Sequence, residues 1–164
     1  MRYAFPCNIV RDEEEAKETG REAYSVAFPD VYGANTGGWS WEEALEMAED
    51  GLGVALSMYV DNREDIPFPS ALEEGQVLIP VPLIVAAKLT LYTAMREQGL
   101  TNVALAARLG LSEGAVRRLV NPLHRSHISQ VEKALKAVGR SLVVEDRPAY
   151  APQPKELASG GVRA

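Results

Sequence analysis

The chain has few of the residues from which catalytic and metal sites are usually built. It contains one cysteine, Cys7, and two histidines, His124 and His127. A single cysteine cannot form an internal disulfide, and nothing pairs with Cys7 at the spacing of metal ligands. The HExxH pattern, the P-loop and the glycine fingerprint of dinucleotide-binding folds are all missing. These absences argue against an enzyme, and they predict neither a metal site nor a cofactor.

Long apolar runs are also missing. The longest, Val77 to Ala87, is interrupted by Pro80 and Pro82 and is too short to span a bilayer. The N-terminus lacks the apolar run of a signal peptide. We therefore expect no membrane association and a cytoplasmic protein. At 46% hydrophobic residues, the chain still has enough apolar side chains to build a core.

Charge is divided unevenly along the chain. Residues 1–79 hold 17 acidic and 5 basic residues, whereas residues 80–164 hold 12 basic and 6 acidic residues. The corresponding net charges are −12 and +6. A basic C-terminal half suits binding to nucleic-acid phosphates, and an acidic N-terminal half suits a basic macromolecular partner or simply solubility. The asymmetry predicts two modules with different partners.

The N-terminal residues predict a small α+β layer. Ser40 and Glu43 form a capping box that opens a helix of about 20 residues. The charged run 11–22 predicts a solvated loop or a short exposed helical turn. Apolar or extended segments predict four strands, at residues 3–10, 23–28, 31–38 and 76–81. The order strand, strand, strand, helix, strand predicts one helix across a mostly antiparallel sheet.

An all-α module is predicted after Pro82. Its first helix runs from Leu83 to about Gln98, and its last helix is capped by Ser126. The inner stripe of that last helix is predicted to be Ile128, Val131, Ala134, Leu135 and Val138.

Residues 141–145 predict a short terminal strand and a dimer contact, and residues 148–164 predict a flexible tail. The predicted boundaries are therefore 1–81, 82–147 and 148–164.

Between the first and last helices of the all-α module, residues 101–120 have the pattern of a helix-turn-helix. Thr101 caps the first helix, Gly110 supplies the left-handed residue that ends it, and Ser112 caps the second helix. Leu111 is expected to fill the corner. Such a unit lays its second helix in the major groove of DNA. The alternative is an ordinary helical hairpin in a bundle.

Arginines supply the candidate DNA contacts. Arg117 is the candidate base reader, because arginine donates two hydrogen bonds to guanine, although a phosphate contact is the alternative. Arg118 is expected to contact phosphate or brace the fold, and Arg125 to contact phosphate. The full set of candidate DNA-binding residues is Thr101, Ser112, Glu113, Gly114, Arg117, Arg118 and Arg125. Because one helix-turn-helix grips only a few base pairs, we expect a homodimer or a higher even oligomer on double-stranded operator DNA.

Three stretches resemble one known family. They are Tyr24-Ser-Val-Ala-Phe28-Pro29-Asp30 followed by Gly33, Ser40-Trp-Glu-Glu43-Ala44-Leu45-Glu-Met-Ala48, and Ile79-Pro-Val-Pro82-Leu. The first two, in this order, are similar to the N-terminal domain of the HicB antitoxins. The third, running into a helix-turn-helix, is similar to the HicB subclass that carries this DNA-binding domain. The resemblance covers about residues 1–147.

The resemblance implies an antitoxin of a type II toxin–antitoxin pair. Its partner would be a HicA-like toxin, a small basic ribonuclease that cleaves mRNA, and the antitoxin would also repress its own operon. The implied N-terminal fold is like a partial ribonuclease-H or double-stranded-RNA-binding layer. The candidate partner-binding residues are Tyr24, Phe28, Asp30 and Trp39.

Two other function classes remain open at this point. A ribonuclease-H-like layer invites a search for clustered carboxylates, but residues 12–15 are consecutive and point in different directions. Asp30 and Glu43 could approach each other, yet they lack a further ligand. A transcription regulator whose N-terminal module senses a small molecule would need a pocket with polar groups. A neighbouring reading frame for a short basic protein would favour the antitoxin.

Overall fold

The computed structural model describes residues 2–146, in which an α+β layer precedes a group of helices, as the sequence predicts. The elements in chain order are β1 (Ala4–Arg11), α1 (Glu13–Thr19), β2 (Tyr24–Ala27), β3 (Asn35–Gly38), α2 (Trp41–Asp61), β4 (Val77–Pro80), α3 (Leu83–Glu97), α4 (Asn102–Leu109), α5 (Glu113–Val120) and α6 (Ile128–Ala137). The charged run after β1 forms α1, a short exposed helix rather than a loop.

The four strands form one antiparallel sheet in the order β3-β2-β1-β4. Strand β1 pairs with a different strand along each half of its length. Its first half pairs with β4, as in Cys7 with Val77, and its second half pairs with β2, as in Arg11 with Tyr24. Helix α2 lies across the sheet and packs mainly on β3. The predicted arrangement of one helix on an antiparallel sheet is therefore confirmed.

Helix α2 forms where the sequence predicts it and for the predicted reason. Ser40 Oγ accepts a hydrogen bond from Glu43 N at 3.1 Å, and Glu43 Oε2 accepts one from Trp39 N at 2.7 Å. Together they satisfy main-chain donors before and within the first helical turn. The buried face of the helix carries Ala44, Leu45, Ala48, Leu52, Ala55 and Leu56. Burial of each larger side chain contributes about 1.5–3 kcal/mol to folding.

Gly38 allows the first turn of α2 to approach the end of β3. A Cβ atom added at Gly38 would lie 2.5 Å from Ala44 N, which is main chain and cannot move aside easily. At Gly51, in the middle of α2, the nearest atom to an added Cβ is Thr36 Cγ2 at 3.6 Å, an ordinary contact.

We therefore expect opposite effects from two matched substitutions. Gly38→Ala should lower the free energy of unfolding by about 2 kcal/mol or more through forced backbone shifts. Gly51→Ala should raise it by about 0.5–1 kcal/mol, because alanine favours the helix interior. Urea unfolding followed by circular dichroism measures both. Equal effects of the two substitutions would contradict the close approach at Gly38.

The C-terminal helices confirm the helix-turn-helix and its local signals. Thr101 Oγ1 accepts a hydrogen bond from Ala104 N at 3.1 Å, and Ser112 Oγ accepts one from Ala115 N at 3.2 Å. Gly110 has φ 65°, the left-handed conformation that ends α4. Leu105 and Val116 are fully buried between the helices.

Three sequence predictions about this region are wrong. Leu111 does not fill the corner but is 45% exposed, because the left-handed turn at Gly110 directs it outward. Ser126 does not cap α6: the helix starts one residue later, with His127 at the N-cap and no side-chain cap bond. Ile128 is the first residue of α6, so its side chain tilts beyond the start of the helix and is 44% exposed. The other four predicted stripe residues are buried.

Residues 141–145 form no strand, because no other strand of the described residues pairs with them. Val143 is 96% exposed there. The predicted tail, residues 148–164, lies outside the described residues. None of the helices within residues 2–146 has the length and apolar character that a membrane span requires.

The elements change character at the predicted boundary, but one buried core runs through both parts. Tyr92 of α3 donates a hydrogen bond from its hydroxyl to Glu64 O at 2.7 Å. Arg96 contacts Asp65 at 2.9 Å and donates to Arg63 O at 2.7 Å. The loop after α2 is therefore fixed to α3, and the boundary at residue 81 remains a prediction.

Candidate functional site

Helix α5 presents one apolar and one polar face. Val116, Leu119 and Val120 are buried, whereas the arginine side chains Arg117 and Arg118 are exposed. This division leaves the basic side chains on the surface of the second helix of the helix-turn-helix. In this motif, that surface is the one that enters the major groove.

Helices α4 and α5 each begin at a hydroxyl side chain. The two helices pack against each other. Thr101 and Ser112 each stand at the N-cap of one of these helices. Main-chain N–H groups at helix N-termini favour phosphate. Both hydroxyls accept capping bonds, and each still has its own O–H to donate to a phosphate.

Arg117 forms an ion pair with a carboxylate of its own helix. Its Nη2 atom lies 2.6 Å from Glu113 Oε2, one helical turn earlier. The hydrogen bond with Arg117 lowers the pKa of Glu113, and the same bond raises the pKa of Arg117. Because a guanidinium has five N–H donors, the remaining donors are still able to contact a base. The carboxylate thus sets the orientation of the candidate base reader.

Gly114 and Arg118 are neighbours on this surface. A Cβ atom added at Gly114 would meet only Arg118 Nη1, at 3.8 Å. The fold therefore does not require glycine at this position, although glycine in a helix costs about 0.5–1 kcal/mol relative to alanine. The small residue leaves the α5 backbone accessible beside two arginines.

Sequence reasoning missed Lys88, the residue that fixes the end of α5. This lysine of α3 is fully buried. Its Nζ donates hydrogen bonds to Arg118 O at 3.1 Å, Asn121 O at 2.9 Å and His124 O at 2.5 Å. These carbonyls lie at the end of α5 and in the loop that follows, where helix carbonyls lack intrahelical partners and a positive charge is favourable.

Burial lowers the pKa of Lys88 to about 8. The charged ammonium supplies three donors, one for each carbonyl, whereas a neutral amine has only two. The loop held by Lys88 leads directly to Arg125, the exposed candidate phosphate contact. Lys88 is therefore a positioning residue for both the helix and the loop.

In the N-terminal layer, two of the four candidate partner-binding residues belong to the core. Tyr24 is buried and packs edge-on against Trp41, with ring centroids 5.9 Å apart. Phe28 is also buried. Their aromatic rings support the sheet and α2 and offer little surface to a partner. Sequence alone does not separate a core aromatic from an interface aromatic, since both interrupt polar segments in the same way.

The other two candidates lie nearer the surface, and they differ from each other. Asp30 Oδ2 accepts hydrogen bonds from Ser70 N at 2.8 Å and Ser70 Oγ at 2.9 Å, so Asp30 fastens the loop before β4. Trp39 is 36% exposed, and the guanidinium of Arg21 lies over its ring at 4.7 Å. Of the four, Trp39 offers the most accessible ring for a partner.

A surface cleft of about 320 Å³ surrounds Trp39. It lies between α1, the β3 edge of the sheet and the start of α2. Its lining residues are Glu15, Ala23, Tyr24, Gly37, Gly38, Trp39, Glu43 and Met47. The cleft combines two carboxylates with an indole and a thioether.

No grouping of three His, Cys, Asp or Glu side chains suited to a metal occurs within residues 2–146. Cys7 is buried, and burial raises the pKa of its thiol to about 12. A protonated, buried thiol is a poor nucleophile.

Comparison with known proteins decides between the classes left open by the sequence. A family model described as a HicB_like antitoxin of bacterial toxin-antitoxin systems matches residues 4–90. The chain belongs to the HicB antitoxin family. A second model, described as a winged helix-turn-helix DNA-binding domain, matches residues 90–128. The HicB antitoxin resemblance of the sequence is thereby confirmed, together with its helix-turn-helix subclass.

Named relatives agree over most of the chain. Antitoxin HicB 2 of Photorhabdus laumondii is 38% identical over 128 residues, covering 78% of this chain and 88% of the relative. Antitoxin HicB of Pseudomonas fluorescens is 40% identical over 133 residues, covering 80% and 89%. Antitoxin HicB of Escherichia coli K12 is 39% identical over 119 residues, covering 73% and 86%. All three carry the names of antitoxins, as expected for a HicB chain that is not an enzyme.

The two family models meet inside α3 of this HicB chain. α3 also carries Lys88, which holds the end of α5. Up to residue 146, the chain after α6 forms no strand, so this part of the structure shows the helix-turn-helix without a wing.

Proposed function

We propose that this HicB-family protein neutralises a HicA-like toxin through its N-terminal layer and represses its own operon through α5. The observation that carries the proposal is one chain in which a HicB-type layer continues into a helix-turn-helix with an exposed arginine face. The family match supports this function over that of a small-molecule-sensing regulator. The protein acts in the cytoplasm, where its mRNA-cleaving target and its operator are found.

The proposed DNA contact follows from the pair described above. Arg117, held by Glu113, turns its remaining donors to a guanine in the major groove. Arg118 and Arg125 contact phosphates on either side and fix the register without reading sequence. The backbone at Gly114 approaches the DNA closely. Glu113 acts on the base through Arg117, because its Oε2 is engaged by Arg117 Nη2 at 2.6 Å.

The proposed toxin contact is electrostatic at first. The net charge of −12 on residues 1–79 attracts a small basic protein and speeds its association. Charge complementarity mainly affects association rate and specificity, whereas apolar contact determines the lifetime of the complex. Association is therefore expected to slow as salt rises.

A growth experiment tests both functions in the same cells. The reading frame adjacent to this one is expressed alone and together with the full chain, beside a reporter driven by the DNA upstream of the pair. We expect growth to stop with the neighbour alone, and to resume together with reporter repression when the chain is present. Arg117→Ala serves as the matched control and should rescue growth while losing repression. Failure of the unmodified chain to rescue growth would contradict the antitoxin function.

Assembly is expected to follow from the DNA contact. Two copies on symmetric half-sites, with centres spaced by about 34 Å or a small multiple, would place both recognition helices on one face of the duplex. Sedimentation equilibrium at micromolar concentration should give a dimer or a higher even oligomer. A monomeric mass would refute this expectation.

A further inference from the structure

Helix α1 is held in place without contributing to the core. It has no buried residue. Asp12 fixes it at the start, accepting hydrogen bonds from Glu15 N at 3.0 Å and from Ser25 Oγ of β2 at 3.1 Å. These bonds lower the pKa of Asp12, the main-chain bond from Glu15 contributing most. The helix therefore keeps a defined position beside the sheet, which core packing does not explain.

Helix α1 forms one wall of the Trp39 cleft. Glu15 of α1 and Glu43 of α2 both line the cleft. Glu43 also holds the main chain of Trp39 through the 2.7 Å bond to its N–H. The ring therefore shares the cleft with two carboxylates and with Met47, which adds an apolar surface that is 40% exposed.

The chain itself shows which group fits this cleft. The guanidinium of Arg21 lies over the Trp39 ring, 4.7 Å from its centroid. Such a cation is attracted to the electron-rich face of an indole. Arg21 follows α1 on an exposed segment, so another guanidinium is able to replace it at little cost to the fold.

We infer that this cleft is the docking point for an arginine of a basic protein partner, which displaces Arg21 from the Trp39 ring and lies between Glu15 and Glu43. The inference rests on the proposed toxin binding and names the contact within it. Arginine fits better than lysine because its planar guanidinium stacks on an aromatic ring and pairs with carboxylates at the same time. The acidic charge of residues 1–79 selects a basic protein and repels nucleic acid.

The inference predicts a graded loss of affinity. Binding of the purified product of the adjacent reading frame to the full chain is measured by calorimetry at one salt concentration. Trp39→Leu should weaken binding by about 10- to 100-fold, as is typical of an aromatic anchor. Trp39→Phe should recover part of that loss, since a phenyl ring keeps a weaker attraction for the cation. Circular dichroism verifies that each variant is folded.

Two variants of α1 provide a matched pair with the same change of charge. Glu15→Gln removes a carboxylate that lines the cleft and should weaken binding by about 5-fold or more. Glu14→Gln removes its neighbour, which does not line the cleft, and should change affinity by less than about 2-fold. Arg21→Ala frees the ring and should tighten binding by a few-fold.

The outcomes separate this inference from the proposed function. Tight binding by the unmodified chain, with equal affinities for the Glu15→Gln and Glu14→Gln variants and no loss in Trp39→Leu, would overturn the cleft and leave toxin binding intact. Weaker binding by Arg21→Ala would also overturn it, because Arg21 would then be contacting the partner itself. No binding by the unmodified chain would overturn the proposed function and the inference together.

Discussion

Replacing Lys88 with methionine is expected to lower the free energy of unfolding by about 2–3 kcal/mol and to weaken operator binding about tenfold. Methionine keeps the length and apolar stem of the side chain but donates no hydrogen bond. Three carbonyls would each lose the hydrogen bond that Lys88 Nζ donates, namely those of Arg118, Asn121 and His124. Because they lie at the end of α5 and in the next loop, both the helix and the loop would lose their fixed position.

Lys133→Met on the exposed face of α6 is the matched control. It removes the same charge from the same module, but no buried carbonyl depends on it. Urea unfolding and binding to the DNA upstream of the operon are measured for both variants at the same salt concentration. If the two variants bind DNA equally well, Lys88 does not position the recognition helix.

The pH dependence of stability checks Lys88 without relying on DNA. The pKa of Lys88 is about 8 in the folded chain, below the ordinary value of 10.5. Between these two values, the unfolded chain therefore binds more protons than the folded chain at this site. By linkage, Lys88 makes the free energy of unfolding rise with pH across this window, and that contribution is lost as pH falls through 8. The difference in stability between wild type and Lys88→Met should accordingly change between pH 8 and pH 10, and a constant difference would contradict the lowered pKa.

Arg117→Ala is expected to reduce affinity for the native operator by about 10- to 100-fold and affinity for random DNA much less. A contact to the edge of a base carries sequence information, whereas a phosphate contact does not. The substitution also frees the Glu113 carboxylate from its 2.6 Å ion pair, which adds repulsion toward any DNA. The double variant Glu113→Gln/Arg117→Ala removes that repulsion and isolates the lost base contact.

Arg125→Ala gives the contrasting pattern. Loss of a phosphate contact should weaken binding to native and to random DNA about equally. It should also lower the slope of log affinity against log salt concentration by about one released counterion per subunit. Fluorescence anisotropy at several fixed salt concentrations measures both variants. Equal losses on native and random DNA for the Glu113→Gln/Arg117→Ala variant would make Arg117 a phosphate contact and move base reading to Arg118 or Gly114.

The fold was predictable where the signal lies within a few residues. Ser40, Thr101 and Ser112 cap helices in the structure as the sequence indicates, since a cap depends on donors only three residues away. Gly110 ends α4 for an equally local reason. The cap predicted at Ser126 was wrong because α6 begins after His127, without a side-chain cap bond. The strand predicted at residues 141–145 was wrong because a strand requires a partner elsewhere in the chain.

The site residues were harder to predict, because the groups that they contact are far away in the sequence or are main-chain atoms that every residue has. Lys88 interrupts an apolar stripe, and its acceptors are main-chain carbonyls 30–36 residues later, which any residue type provides. Tyr24 and Trp39 are both aromatic, yet only folding shows that one ring is buried and the other accessible. The Glu113–Arg117 spacing, by contrast, is a local signal, because residues four apart share a helix face.

The central claim is that this chain is an antitoxin, and titration of RNA cleavage tests it most directly. The purified product of the adjacent reading frame is incubated with mRNA while the full chain is added in increasing amounts. Cleavage should cease at a fixed, near-stoichiometric ratio, and Trp39→Leu should shift the titration to higher concentrations. Undiminished cleavage in the presence of excess folded chain would contradict the central claim.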